Sequence, residues 1–114
     1  MCSQNELQTV TQSVVQEAIK LLSCKIDRII LYGSYARGDF NSESDVDIMI
    51  LLHCRPEEIR QYRAQISRIA SRISLANDVE VSLLLRDRET FETCLDIQPF
   101  YQNIEKEGVV LYGK

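Results

Sequence analysis

Residues 29–52 read IILYGSYARGDFNSESDVDIMILL, and this stretch decides the fold. It begins with a short apolar run, residues 29–32, that stops at Gly33. It ends with a second apolar run, residues 48–52, that follows directly on Asp47. Short runs rich in isoleucine and bounded by Gly, Ser and Asp are typical of buried β-strands rather than helices. The stretch therefore predicts two strands joined by a polar connection.

Two carboxylates lie at the start of the second strand. Residues two apart in a strand share a face, so Asp45 and Asp47 point the same way, roughly 7 Å apart along the chain. Carboxylates beside a buried strand are costly unless they are paired or bind a metal, and hard oxygen ligands suit Mg²⁺. Gly33 lets the backbone approach a ligand closely, and Ser34 offers a hydroxyl and an amide to phosphate oxygens. These residues predict a site for a metal-bound nucleoside triphosphate; a loop of solvated polar residues is the plainer alternative.

The same stretch carries a family resemblance. Gly33-Ser34, ten further residues and Asp45-Val46-Asp47, with Ala36-Arg37-Gly38 inside the loop, resemble the signature of the minimal nucleotidyltransferases. That family belongs to the DNA polymerase beta superfamily. The resemblance implies a nucleotidyltransferase fold and an enzyme that uses ATP as substrate and Mg²⁺ as cofactor.

Family members have a third carboxylate on a later strand, usually Asp, and Glu80 matches that position with a longer side chain. The resemblance implies that the acidic residues hold one or two magnesium ions, with Glu80 also able to accept a proton from the attacking hydroxyl. By the same resemblance, the catalytic and metal-binding residues are Asp45, Asp47 and Glu80. The residues that it implies hold the phosphates of the nucleotide are Gly33, Ser34 and Arg37. A merely exposed residue is the alternative for Glu80 and for Arg37.

The composition fits an ordinary soluble domain. The chain has 114 residues, 45% of them hydrophobic and 26% charged, which predicts a single domain over residues 1–114. No apolar run approaches the ~18 residues that cross a bilayer, and the N-terminus lacks the regions of a signal peptide, so we expect a cytoplasmic protein without membrane contact. The net charge of −4 argues against long nucleic acid as the main partner. The four cysteines form no C-x-x-C pair, and we expect free thiols that serve mainly in packing.

Helices and strands alternate along the whole chain. Apolar positions three or four apart predict a helix over residues 5–22 and another from Pro56 to the turn at Asn77-Asp78. Strands are predicted over residues 28–32, 46–52, 79–84 and 109–112, the first two antiparallel if they are neighbours. We expect Asp87 to cap a helix over residues 88–95, and Pro99 to start a last helix whose Phe100 and Ile104 face inward. This order predicts an α/β (α+β) fold, a mixed sheet of about four strands with helices packed against it.

The acceptor of the nucleotide is inferred from the size of the chain and from the resemblance. Larger members of the superfamily carry extra domains that hold the acceptor, and a chain this short has little beyond a nucleotide site. The minimal nucleotidyltransferases include antitoxins that transfer AMP from ATP to a tyrosine hydroxyl of a HEPN-domain toxin and so silence it. The resemblance therefore implies a Mg²⁺-dependent protein adenylyltransferase, the antitoxin of a toxin–antitoxin pair. Two alternatives stay open: nucleotidylation of a small hydroxylated molecule such as an antibiotic, and an antitoxin that acts by binding alone.

Overall fold

The computed structural model of the chain describes residues 4–38 and 45–113. Helices and strands alternate along these two ranges, with one 3₁₀ turn over Ser23–Lys25. The helices are α1 (Gln4–Leu22), α2 (Ser34–Arg37), α3 (Pro56–Asn77), α4 (Arg88–Leu95) and α5 (Pro99–Glu107). The strands are β1 (Ile26–Tyr32), β2 (Val46–Leu52), β3 (Val81–Asp87) and β4 (Val109–Gly113). None of the helices in this part of the chain is both long and apolar enough to traverse a bilayer.

The four strands form one mixed sheet in the order β3-β2-β1-β4. β1 is antiparallel to both β2 and β4, whereas β2 and β3 are parallel and joined by α3. Parallel strands start at the same edge of a sheet, and an antiparallel neighbour ends there. The end of β1 and the starts of β2 and β3 therefore meet at one edge. The predicted α/β fold is confirmed, as is the antiparallel pairing of the first two strands.

Both faces of the sheet are covered by helices. α1 and α3 pack on one face and α4 and α5 on the other, and β2 between them is so enclosed that residues 48–52 are 0% exposed. Because side chains alternate along a strand, Ile48 and Ile50 belong to the first core and Met49 and Leu51 to the second. Asp47 is two residues before Met49, so its side chain points to the face that α4 and α5 cover.

The third strand starts two residues later than the sequence predicts. Asp78 ends α3 in the left-handed conformation, with φ of 51°. The Val79 amide then donates to the Ser74 carbonyl at 3.3 Å, and the Ser74 hydroxyl accepts from the Val81 amide at 2.9 Å. Val79 and Glu80 are thus part of the turn that closes the helix, and β3 runs on to Asp87. The prediction that this strand covers residues 79–84 was wrong at both ends.

α4 has the predicted bounds and α5 starts at Pro99 as predicted, and Asp87 caps α4 by accepting from the Thr90 amide at 2.9 Å. The inward face of α5 differs from the prediction, because Tyr101 and Ile104 are buried while Phe100 is 44% exposed.

The cysteines within the described residues are free, as expected. Cys54 and Cys94 pack against the two cores at half-buried positions, whereas Cys24 is exposed and does not serve in packing. Cys2 lies outside the described residues.

Candidate active site

The sheet brings the predicted site positions to one edge. Tyr32, the last residue of β1, is paired with Asp47, and Val46 is paired with Val81 at the start of β3. The Val46 amide donates to the Glu80 carbonyl at 2.9 Å, which ties the segment before β3 to the start of β2. Gly33, Asp47 and Glu80 therefore lie on three neighbouring segments of one edge.

Gly33 lies directly against the carboxylate of Asp47. Its backbone has φ of 77° and ψ of −156°, a conformation that is essentially restricted to glycine. A Cβ atom added at Gly33 would lie 2.6 Å from Asp47 Oδ2, well inside van der Waals contact. Only a residue without a side chain leaves the Asp47 carboxylate in its observed place.

The chain after Gly33 forms the single turn α2. The amides of Ala36 and Arg37 both donate to the Gly33 carbonyl at 3.1 Å, and the Gly38 amide donates to the Ser34 carbonyl at 2.9 Å. The connection between β1 and β2 thus begins with one helical turn. Ser34, half-buried, stands at the start of this turn beside Gly33. Residues 39–44 of the predicted polar loop lie outside the described residues.

Arg37 lies at the rim of the edge. Its Nη1 atom is 3.7 Å from Glu107 Oε2, and about two fifths of each side chain is exposed (43% and 42%). Exposed pairs of this kind contribute little to stability. The guanidinium carries its charge beside the acidic residues, and it acts to lower the pKa of Asp47.

Burial and a neighbouring charge raise the pKa of Asp47. Desolvation of the half-buried carboxyl is the largest cause and the negative charge of Asp45 is the next, outweighing Arg37. Both causes disfavour the ionised form, and a bound cation would reverse both. Two carboxylates that repel each other at one strand end are a donor set that fits a hard divalent cation. In residues 4–38 and 45–113, no three His, Cys, Asp or Glu side chains are grouped as metal ligands. Asp45 and Asp47 interact as a pair of like charges, but Glu80 is not grouped with them as a third ligand in the described part of the chain.

Asp45 and Glu80 each stand one residue before a strand. Asp45 lies just before β2, as the predicted strand over residues 46–52 had it, and it is exposed. Glu80 precedes β3 and is also exposed, with its backbone rather than its side chain bonded to β2. Because the two strands that follow these residues are parallel, both residues lie at the same edge of the sheet. The role of Glu80 stays a prediction.

Sequence reasoning missed two aromatic side chains near Asp47, those of Tyr32 and Phe100. Tyr32 shares the face of Asp47, and burial together with the Asp47 charge raises the pKa of its hydroxyl to about 12. The Tyr32 ring contacts the Phe100 ring edge to face, at 5.7 Å between centroids and 89° between planes. Tyr32 could have been found by counting along the antiparallel pair, since it lies opposite the second aspartate. Phe100 had no such signal, because its position depends on how α5 crosses the sheet.

Comparison with known proteins shows the family and the fold. A family model described as "Nucleotidyltransferase domain" matches residues 13–112. "Putative protein adenylyltransferase MJ0141" of Methanocaldococcus jannaschii is 36% identical over 104 residues, which cover 91% of this chain and 97% of that protein. From the same organism, "Putative protein adenylyltransferase MJ0604" is 30% identical over 105 residues, covering 89% and 97%.

Solved structures share the architecture at lower identity. A toxin–antitoxin crystal structure with AMP-PNP has a TM-score of 0.59 and 23% identity, covering 91% of this chain and 73% of that one. A structure from Sulfolobus solfataricus, described as "a putative nucleotidyltransferase", has a TM-score of 0.64 and 16% identity, covering 96% and 86%. At these identities the likeness bears on the fold alone, and it confirms the fold that the sequence predicts.

Proposed function

The chain belongs to the nucleotidyltransferase domain family, and from that premise we propose that it transfers AMP from ATP to a tyrosine hydroxyl of a partner HEPN-domain toxin, acting as the antitoxin of the pair. The observation that carries the proposal is the contact between Gly33 and Asp47. It fixes a carboxylate, destabilised by burial and by Asp45, at the edge where β1 ends and β2 and β3 start.

The comparisons support the adenylyl group and the protein acceptor. The two archaeal relatives are both named as protein adenylyltransferases, and the solved toxin–antitoxin structures include one with AMP-PNP. The sequence match covers nearly the full length of both relatives.

In the proposed mechanism the triphosphate binds at the turn after β1. The Gly33 and Ser34 backbone and the Ser34 hydroxyl would hold the β- and γ-phosphates, with Arg37 approaching them from the rim. Asp45 and Asp47 would hold Mg²⁺, whose chemistry when bound is to offset charge on the triphosphate during an in-line displacement. The acceptor hydroxyl forms a bond to the α-phosphorus while the bond to the bridging oxygen breaks, and pyrophosphate leaves. The exposed carboxylate of Glu80 would accept the proton of that hydroxyl.

The role of Glu80 can be separated from nucleotide binding. Glu80→Gln keeps the shape of the side chain, and its carbonyl bond to the Val46 amide is unaffected. We expect slower transfer with an almost unchanged Kd for ATP, because a proton acceptor acts in the transition state. Equal transfer rates in the variant and the parent would return Glu80 to the role of an exposed residue.

Intact-protein mass spectrometry tests the function itself. The chain is mixed with purified HEPN-domain toxin, ATP and Mg²⁺, and the toxin is expected to gain mass in whole AMP units. Ser34→Ala combined with Asp47→Asn should prevent the gain, and peptide mapping should place the AMP on a tyrosine. A toxin that is neutralised without a change in mass, equally well by the double variant, would show that binding alone is the mechanism.

A further inference from the structure

We propose that the exposed ring of Phe100 is the platform on which the base of the bound nucleotide stacks. The inference rests on the proposed function for the triphosphate at Gly33 and Ser34, and it adds a nucleobase subsite on α5. Nothing in the Gly33-Ser34 and Asp45-Val46-Asp47 motif points to this helix, which follows the motif by more than fifty residues.

Phe100 is separated from Asp47 by one side chain, that of Tyr32. Tyr32 is paired with Asp47 across β1 and β2, so the two side chains stand next to each other on the same face of the sheet. The Phe100 ring is the next group outward, 5.7 Å from the Tyr32 ring. Phe100 is therefore a neighbour, through Tyr32, of the edge at which we propose that the triphosphate binds.

The ring of Phe100 is held in place while part of it stays open to solvent. It contacts Tyr101 at 5.2 Å between centroids and 84° between planes. Tyr101 is 6% exposed, packs against Phe91 at 5.5 Å, and accepts a hydrogen bond from Arg86 Nε at 3.1 Å. Two rings thus fix Phe100, yet 44% of the residue is exposed. A group ordered before the ligand arrives loses little conformational entropy on binding.

A nucleobase is a suitable stacking partner for this ring. Every base has a π-face, and removing one aromatic partner by alanine substitution weakens binding by roughly 5- to 150-fold. The side-chain amides of Gln98 and Gln102 are engaged elsewhere, since Gln98 Nε2 contacts Cys94 Sγ at 3.6 Å and Gln102 Nε2 donates to the Leu95 carbonyl at 2.9 Å. A ring that stacks on a base without hydrogen bonds from these two amides binds any base. We therefore expect Phe100 to contribute affinity and almost no discrimination between adenine and guanine.

Isothermal titration with three ligands tests the subsite. The parent and Phe100→Ala are titrated with ATP, GTP and inorganic tripolyphosphate, each with Mg²⁺. The variant is expected to bind ATP and GTP about 10-fold more weakly, by the same factor for both, because a stacking partner is lost. Its affinity for tripolyphosphate, which has no base, should stay within twofold. Phe100→Trp should restore both nucleotides.

Two further variants keep the experiment decisive. Ile97→Ala removes an apolar side chain that is 70% exposed and lies just before α5, and it should leave all three affinities unchanged. Phe100→Leu keeps apolar bulk at the position without a π-face, so it should lose nucleotide affinity as the alanine variant does. Thermal melts of each variant check that the fold is kept, and the leucine variant serves where the alanine variant does not fold.

Each other outcome overturns the inference. Parent-like ATP affinity in Phe100→Ala means that the base lies elsewhere, and an equal loss of tripolyphosphate affinity means that the ring acts on the phosphate site. Unchanged ATP binding with slower transfer to the toxin means that Phe100 contacts the acceptor protein. If the parent and Phe100→Ala bind ATP equally well, the nucleobase subsite is refuted and the proposed function is not affected. A parent that binds neither ATP nor tripolyphosphate refutes the proposed function as well.

Discussion

Replacing Gly33 by alanine should damage the proposed reaction more than it damages the fold. The change adds one methyl group at a backbone position with φ of 77° and ψ of −156°. The new Cβ would lie 2.6 Å from Asp47 Oδ2, where ordinary contact begins at 3.4 Å. The Asp47 carboxylate moves more easily than the Gly33 backbone, because the carboxylate is the end of a side chain. The substitution therefore displaces the group that we propose to act in catalysis.

Two separate magnitudes follow from that geometry. Holding an alanine in a backbone region that is essentially restricted to glycine costs about 1–3 kcal/mol of unfolding free energy. The carboxylate must retreat by several tenths of an ångström, and misplacements of about 1 Å reduce rates by roughly 100-fold. We expect transfer to slow between about 10- and 100-fold in a protein that still folds. In free-energy terms that is about 1.4–2.7 kcal/mol of lost transition-state stabilisation.

Gly38→Ala provides the matched control. Gly38 also has a positive φ, 81°, but nothing lies within 4 Å of a Cβ added there. Its left-handed conformation costs an alanine about 1–2 kcal/mol, partly offset by about 0.4–1 kcal/mol from a less flexible unfolded chain. Urea unfolding measures the stability of each variant, and the initial rate of AMP transfer to the toxin measures activity.

The two variants separate strain from displacement. Comparable stability losses, with transfer slowed strongly only in Gly33→Ala, are the expected result. If Gly33→Ala transferred AMP at the parent rate, the position of the Asp47 carboxylate would not matter to the reaction, and the reasoning would fail. If both variants slowed transfer equally, backbone strain in the turn would be the cause rather than the contact with Asp47.

Three further outcomes are expected. Burial and the Asp45 charge raise the pKa of Asp47 in the folded state, so the ionised carboxylate destabilises the protein above that pKa. Asp47→Asn should therefore abolish transfer, yet its melting temperature at neutral pH should be higher than that of the parent. This difference in melting temperature should fade below about pH 4, where Asp47 is protonated in the unfolded state as well. Arg37→Gln should weaken ATP binding in a titration while the melting temperature barely moves, because its pair with Glu107 is exposed. Asp87→Ala leaves the Thr90 amide without its buried acceptor and should lower the unfolding free energy by about 1–2 kcal/mol, with the transfer rate unchanged.

Local chemistry accounts for the elements that the sequence predicted well. β2 has the predicted bounds because its apolar run is enclosed on both faces and meets a charged residue at one end only. The helices that begin at Pro56 and Pro99 start where a proline fits the first turn. These signals are contained in a few neighbouring residues. A sequence alone is sufficient for them.

The errors occurred where a distant contact decides the outcome. Val79 has the side chain of a strand residue, but its amide is used by the Ser74 carbonyl to close α3. Phe100 was expected to face inward with Ile104, whereas Tyr101 takes that position, with its ring against Phe91 and its hydroxyl accepting from Arg86 on β3. Neither the helix cap nor the tyrosine bond can be read from a hydrophobic pattern, since each needs a partner several residues or a whole element away.

The division between framework and site explains why the function can be tested without unfolding the protein. The strands are anchored by buried residues such as Ile48 and Ile50, which are 0% exposed. The proposed site residues add little to that framework, since Asp45 and Glu80 are exposed and the charge of Asp47 opposes folding. A site that carries like charges at a strand edge is stabilised by its ligand rather than by the fold. Added MgATP should therefore raise the melting temperature of the parent and leave that of the Asp45→Asn, Asp47→Asn double variant unchanged.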